Sequence, residues 1–243
     1  STVLFFAIES KKNEGRYFSR FDHVVAINKV NEDLYREVLE EFKFTGSVLT
    51  LHSLIRGAAR EEIRELWPKF AKNKVLGVVD GNKTSWHIDD VARYGENRKD
   101  VKIIEDKFLE VLDYIDDKVL MSGSCHTGPW TRINRERSLV KETTDLPLKG
   151  GLVFLSPKLL KEKDLSYDCR LMVGEDKLFS LKANNLGISM RRVNSIEPCR
   201  GSTSFRKLAK EQHEANEEVY AKCGFAGKYR HKPGKIKGWK KNG

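Results

Sequence analysis

Short runs of apolar and β-branched residues recur along this chain, and their brevity limits what it can fold into. They are VLFFAI (3–8), HVVAIN (23–28), SVLTL (47–51), KVLGVVD (74–80), KVLMSG (118–123), GLVFLS (151–156), LMVGED (171–176) and ISMRRV (188–193). Runs of this length, most of them closed by Gly, Asp, Asn or Ser, predict buried strands. Helical patterns lie between several of them. Asn31 is placed to cap a helix in which Leu34, Tyr35, Val38, Leu39 and Phe42 share one face. Ala59, Ile63, Leu66, Trp67 and Phe70 line a second, which Pro68 kinks or shortens. Phe108, Leu109, Leu112 and Ile115 mark a third. Strand and helix in alternation argue for a layered α/β domain with a largely parallel sheet. After about residue 200 the strand pattern stops, and a charged helix near 203–222 leads into a basic tail.

Composition narrows the class. A chain of 243 residues, 39% hydrophobic and 33% charged, can bury a substantial core and is not disordered. The first apolar run, Val3 to Ile8, is too short for a signal-peptide core or a membrane span. Cys125, Cys169, Cys199 and Cys223 form no CxxC pair, which is the pattern of reduced thiols in a cytosolic protein. Of the net charge of +10, residues 224–243 supply +7, with seven Lys or Arg and no acid. Lys228, Arg230, Lys232, Lys235, Lys237 and Lys240 are interleaved there with Tyr229 and Trp239. That mixture tracks phosphates and stacks on bases and suits a polyanionic partner; a solvated basic tail is the competing reading.

In open α/β sheets, ligands collect at the carboxyl ends of strands. Three polar clusters fall at such ends. In VVDGNKTSW (78–86), Asp80 closes a strand and Asn82 follows two positions later. Their oxygens can share a hard divalent cation, although Asp before Gly also makes an ordinary Asx-turn. In LIRGAAREE (54–62), Arg56 and Arg60 open a helix, where guanidinium groups clamp phosphate. Glu61 and Glu62 offer both arginines routine surface partners. In LMVGEDKLFSLKANNLG (171–187), Glu175 and Asp176 follow Gly174 where an apolar run gives way to a helix. Either Asp176 is a helix cap and Glu175 a surface charge, or the pair does chemistry. Asp89 and Asp90 in HIDDVARY make another acidic pair, equally readable as the start of a surface helix. SGSCHTGPW (122–130) reads as a small-residue loop lining a pocket, with Trp130 as a stacking surface. Cys199, His213, Cys223 and His231 match no zinc-finger spacing.

GEDKLFSLKA (174–183) resembles the late acidic motif G-[ED]-D-x-x-[FL]-x-x-[KR] of nucleotide-sugar glycosyltransferases with the GT-A fold. VVDGN resembles a degenerate form of their Asp-x-Asp motif, with Asn82 in place of the second aspartate. The resemblance implies a GT-A-like, Rossmann-like α/β domain over 1–200, its mixed sheet flanked by helices, and a helical basic extension over 201–243. It makes Asp176 a general base and lets Glu175 orient the acceptor or a sugar hydroxyl. Arg56, Arg60, Asp80 and Gly174 would bind the donor, a UDP-sugar, with glucose the expected hexose. Asp80 and Asn82 would hold Mn²⁺ or Mg²⁺, weakly because Asn82 is neutral. Small size and the basic extension are similar to phage-type enzymes that glycosylate hydroxymethylated pyrimidines in DNA, for which base flipping would be required. A non-catalytic nucleic-acid-binding protein and a metal-dependent nuclease or phosphoryl-transfer enzyme are the alternatives; two-metal chemistry would call for more carboxylates at one centre.

Overall fold

The computed structural model describes residues 3–7, 22–41, 43–44, 46–70, 76–80, 83–88, 92–94, 103–104, 106–110, 119–124, 140–142, 152–193, 196–200 and 210–229. Its centre is an eight-stranded mixed sheet. The first strands are β1 (Val3–Ala7), β2 (Asp22–Asn28), β3 (Ser47–Leu51) and β4 (Leu76–Asp80). Helix α1 (Glu32–Glu41) joins β2 to β3, and α2 (Arg56–Phe70) follows β3 towards β4. Crossovers of this kind make neighbouring strands parallel, and β3, β2, β1 and β4 lie side by side in parallel register.

The other half of the sheet is built differently. β7 (Val119–Ser124), β8 (Val140–Glu142), β9 (Leu152–Leu155) and β10 (Ser189–Val193) complete the order β3-β2-β1-β4-β9-β7-β10-β8. β9 runs antiparallel to both β4 and β7, β10 is parallel to β7, and β8 closes the edge antiparallel to β10. The helices beside this half are α3 (Pro157–Glu162) and α4 (Glu175–Asn185). A smaller sheet holds β5 (Lys83–Ile88) between β11 (Ile196–Arg200) and β6 (Ala92–Tyr94). The last helix is α5 (Lys210–Lys222).

Alternation along β2 shows why the sheet is buried on both sides. Val24 and Ala26 join the main core with Ile63 and Trp67 of α2, Leu159 and Leu160 of α3, and Phe179 and Ala183 of α4. Val25 and Ile27 face the other way, onto Leu39 of α1 and the partly buried Tyr35, Phe44 and Val48. A strand buried on two faces reads as a continuous apolar run, as HVVAIN does. On β9, Phe154 meets Phe108 of the helical residues 106–110 edge to face, with ring centroids 6.5 Å apart.

Several expectations need correction. LMVGED is not a strand: 171–174 are irregular and α4 begins at Glu175. Its apolar residues are buried for a different reason, because Leu171 and Val173 pack with Leu178 under Val219, Tyr220 and Tyr229. The turn before α1 is capped by Asn28, not Asn31, with the Asn28 Oδ1 accepting from Val30 N at 3.0 Å. Leu34 stays exposed, so α1 buries only Val38 and Leu39 fully. Pro68 sits in the last turn of α2, which ends two residues later. The sheet is mixed, as the GT-A resemblance implies, because β8 and β9 enter it antiparallel; the alternation of strand and helix alone argues for a largely parallel one. Ala92–Tyr94 pairs with β5 as a strand, where a helix start was the other reading of HIDDVARY. β5, β6, β8 and β11 carry too many polar residues to stand out as apolar runs, and pairing reveals them.

One close approach sets how α2 lies on this frame. Gly57 N donates to Leu171 O at 3.0 Å, and a Cβ on Gly57 would stand 2.0 Å from Asp168 O. That neighbour is backbone, so the 168–171 loop would have to move. Helix propensity alone favours Gly57→Ala by about 1 kcal/mol. Overpacking opposes it by about 1–3 kcal/mol or more, and a 2.0 Å clash belongs at the upper end. Gly57→Ala should therefore unfold at lower urea concentration than wild type with an unchanged slope; a raised midpoint would refute the packing argument.

Candidate active site

The chain between α3 and α4 is held to α2 by successive residues on one helical face. Beyond the Gly57 contact, Glu61 is buried and its Oε2 accepts from Tyr167 N at 2.9 Å. Arg64, one turn on, pairs with the same Glu61 carboxylate. Between them Arg60 reaches Glu175, Nε to Oε1 at 3.0 Å, with the two side chains only 14% and 4% exposed. The Arg60 guanidinium carbon also lies 5.9 Å from the centre of the Tyr167 ring. That ring stacks on Phe179 of α4 at 4.2 Å and 15°. Spacing of three and four residues puts these groups on one side of a helix.

Residue 174 begins α4 in the left-handed region, with φ of 82°, a conformation suited to glycine. Gly174 O accepts two hydrogen bonds, from Leu178 N at 2.9 Å and from the Tyr220 hydroxyl at 2.5 Å. A Cβ here would meet that hydroxyl at 3.0 Å and the Tyr229 ring at 3.4 Å. The space above Gly174 is thus filled by aromatic side chains of the protein itself.

Both halves of the routine reading of the acidic pair fail. Asp176 is not the cap, because Gly174 holds that position, and Glu175 is not a surface charge, because it is 3% exposed. Asp176, half-buried, stands second in the helix with Oδ1 accepting from Lys177 N at 2.7 Å. Burial is the main force on Glu175 and raises its pKa to about 7; the neighbouring Asp176 charge adds to this, while Arg60, Arg56 and a backbone contact oppose it. Burial likewise lifts Tyr167 to about 12, partly offset by Arg60. Carboxylates in the first turn meet the positive end of the helix dipole, which favours the charged form.

The other sequence candidates are placed as follows. Arg56 is exposed in the first turn of α2 and Arg60 is drawn inward, so the surface pairs expected with Glu61 and Glu62 do not form around Arg60. Glu62 instead faces His52 at 2.8 Å. Asp80 is the last residue of β4, beside Ala7 of β1. Asn82, Asp89, Asp90, Cys125, His126, Trp130, His231 and the tail residues Arg230, Lys232, Lys235, Lys237, Trp239 and Lys240 lie outside the described residues. Lys228 is exposed and its carbonyl accepts from Lys177 Nζ. Tyr229, expected to stack on bases, is buried against Tyr220 at 5.2 Å between ring centroids. Its hydroxyl accepts from Asn216 Nδ2 at 3.1 Å and meets His213 Nδ1 at 2.9 Å. Among the described residues, no three His, Cys, Asp or Glu side chains are grouped to hold a metal. None of those residues forms a helix long and apolar enough to cross a membrane. Tyr167 and Tyr220 carry no local signal in the sequence, and Glu61, which reads there as a surface partner for the arginines, is instead buried and accepts from Tyr167 N.

No protein-family model matches the sequence, and no curated protein matches it. Among solved structures, the crystal structure of S. aureus TarS 1–349 matches with a TM-score of 0.51 and 15% identity. The match covers 93% of this chain and 66% of that one, so this chain spans just under two thirds of the TarS fragment. The fold is GT-A-like. The same S. aureus fragment in complex with UDP matches at a TM-score of 0.49 and 14% identity, over 93% of this chain and 67% of that chain.

Burial of Glu175 has a consequence for stability. Its folded pKa of about 7 exceeds the ordinary 4.5, so the folded state holds a proton that the unfolded chain releases between those values. Stability from this group is therefore full below the lower value, falls as pH rises to the upper one, and is level above it. Arg56 and Arg60 of α2, Asp176 of α4, Tyr167 and Tyr220 are the charged and titratable groups that share its surroundings. Glu175→Gln has no such proton, so the melting temperature of wild type relative to the variant should be higher near about pH 5 than near about pH 8. A difference that stays constant over this range would show that Glu175 titrates normally.

Proposed function

We propose that this chain is a nucleotide-sugar glycosyltransferase that moves a hexose, glucose, from UDP-glucose to the hydroxyl of a 5-hydroxymethylated pyrimidine in DNA. One observation carries the reading: in a GT-A-like fold, the first turn of α4 presents one carboxylate sealed onto Arg60 and a second, Asp176, half open. A buried acid beside an accessible one separates the roles of two chemically similar groups.

Asp176 accepts the proton of the attacking hydroxyl. The acceptor oxygen bonds to the anomeric carbon as the bond from that carbon to the diphosphate oxygen breaks, and the electron pair leaves with UDP. Attack opposite the leaving group inverts the anomeric centre. Glu175 orients the reacting hydroxyl through its neighbour and keeps Arg60 in place behind it. Arg56, exposed one turn before Arg60, is the more available cation for the diphosphate. Gly174 lets the turn fold back so that Asp176 faces the donor while Glu175 stays on Arg60. An Asp carboxylate and an Asn carbonyl are the hard oxygen donors that Mn²⁺ or Mg²⁺ accepts, and Asp80 ends a strand of the parallel half. Asp80 and Asn82 would hold such an ion, which would supply positive charge against the diphosphate.

Charge supports the acceptor half of the reading. The tail cations with Trp239 suit a phosphate backbone and an unstacked base. The last described residue before the tail cations, Tyr229, is packed beside Gly174 at the acidic turn. On this reading, 1–200 is the catalytic unit and 201–243 the DNA-binding extension.

Two experiments test this. UDP-glucose should raise the melting temperature, more so with Mn²⁺, because a ligand bound to the native state stabilises it. Asp176→Asn should keep that shift while transfer to hydroxymethylated DNA slows by about two to four orders of magnitude. Absence of a shift with any UDP-sugar excludes the donor, and strand cleavage in place of transfer would favour a nuclease. Separately, deleting residues 230–243 removes six of the tail cations and leaves Tyr229 in place. Salt dependence of DNA binding should become shallower by about 0.9 in log–log slope for every phosphate the tail had neutralised. An unchanged slope in the folded truncation would rule out a tail-borne grip.

A further inference from the structure

The junction between α5 and α4 is more elaborate than packing alone requires. Tyr220 is completely buried, and its hydroxyl donates to the carbonyl that starts α4. That same carbonyl anchors the first helical bond, to Leu178 N. Burial raises the Tyr220 pKa most, and the Asp176 and Glu175 charges raise it further, which places the phenol within the field of both acids. Past α5 the chain reverses: Gly224 N donates to Ala221 O at 2.9 Å and Phe225 N to Tyr220 O at 2.8 Å, the paired bonds of a Schellman turn. Phe225 joins the Tyr220 cluster, and Tyr229 is laid over the Gly174 turn. Asn216 and His213, both on α5, hold the Tyr229 hydroxyl there. The Lys228 carbonyl is held by Lys177, the residue after Asp176.

We propose that Tyr220 is a positioning residue for the acidic turn, and that the chain through Tyr229 is therefore a working part of the site. Calling the turn catalytic rests on the glycosyltransferase reading; the positioning itself does not. Gly174 has no side chain with which to cap the helix, and Asp176 Oδ1 is turned to Lys177 N. The start of α4 is thus fixed from outside, by a phenol borrowed from α5. Tyr229 keeps that phenol in place by packing beside it, ring centroids 5.2 Å apart, with both side chains against Gly174. Asp176 faces an acceptor correctly only while this turn is held, since small misplacements of a reacting group cost large factors in rate.

Tyr220→Phe in the full chain keeps the ring and removes only the hydroxyl. Hydrogen exchange at Leu178 N–H should quicken about tenfold or more, with the melting curve little changed, because the carbonyl it bonds has lost its second tether. Turnover of UDP-glucose should fall with KM unchanged, the signature of a group that aligns the reaction and does not bind substrate. Tyr229→Phe, which loosens the support one step further back, should show the same exchange effect in weaker form. It also serves as the test if Tyr220→Phe does not fold. Wild-type exchange at Leu178 in a folded Tyr220→Phe protein, or in Tyr229→Phe where the first variant cannot fold, overturns the proposal. Faster exchange without UDP-glucose turnover even in wild type would support positioning and remove the glycosyltransferase reading. Faster exchange with an unaltered kcat would overturn the catalytic part.

Discussion

The contact between one face of α2 and the chain that leads into α4 governs the rest of the site. Gly57 gives the 168–171 backbone room to lie against the helix, and its N–H bonds Leu171 O. Once that approach is made, Arg60 and Glu61 fall opposite Glu175 and Tyr167 N. The geometry cascades from a missing side chain. With any larger residue the loop would stand off, and the buried charges would lose their partners.

Burial of those charges is tolerable because each is answered. An unpaired carboxylate in the interior is costly, and a paired one still loses most of its hydration. Glu175 has Arg60, and the guanidinium lies over the Tyr167 ring besides. Glu61 has Arg64 and a backbone N–H. Desolvation nevertheless dominates at Glu175, where the pKa rises in spite of two nearby arginines. Glu175 is thus held against its preference, while the next acid, Asp176, stays half-buried.

The C-terminal region changes meaning once it is seen in place. Charge suggests an appended basic tail. Packing shows that α5 and the residues through Tyr229 share a core with Leu171 and Leu178, on top of the acidic turn. A boundary near 200 follows the change in composition, whereas the apolar contacts continue to Tyr229. Small polar-looking segments can belong to a core when a few aromatic residues anchor them.

By itself, the sequence determined the α/β class, the strands of the parallel half and the buried face of α2, because strand and helix periodicities are local and leave a direct trace in apolar spacing. It also singled out Glu175 and Asp176 as neighbours at a helix start. Antiparallel β8 and β9, the polar strands of the small sheet and the irregular path of LMVGED were decided by tertiary structure, since pairing partners and long-range burial have no local signature. The same holds at the site. Arg60 and Glu175 are 115 residues apart, and Tyr220 lies 46 residues beyond Gly174. Which arginine meets which acid, and which tyrosine holds the turn, depends on how the sheet brings α2, α4 and α5 to one place, and only the folded chain supplies that distance.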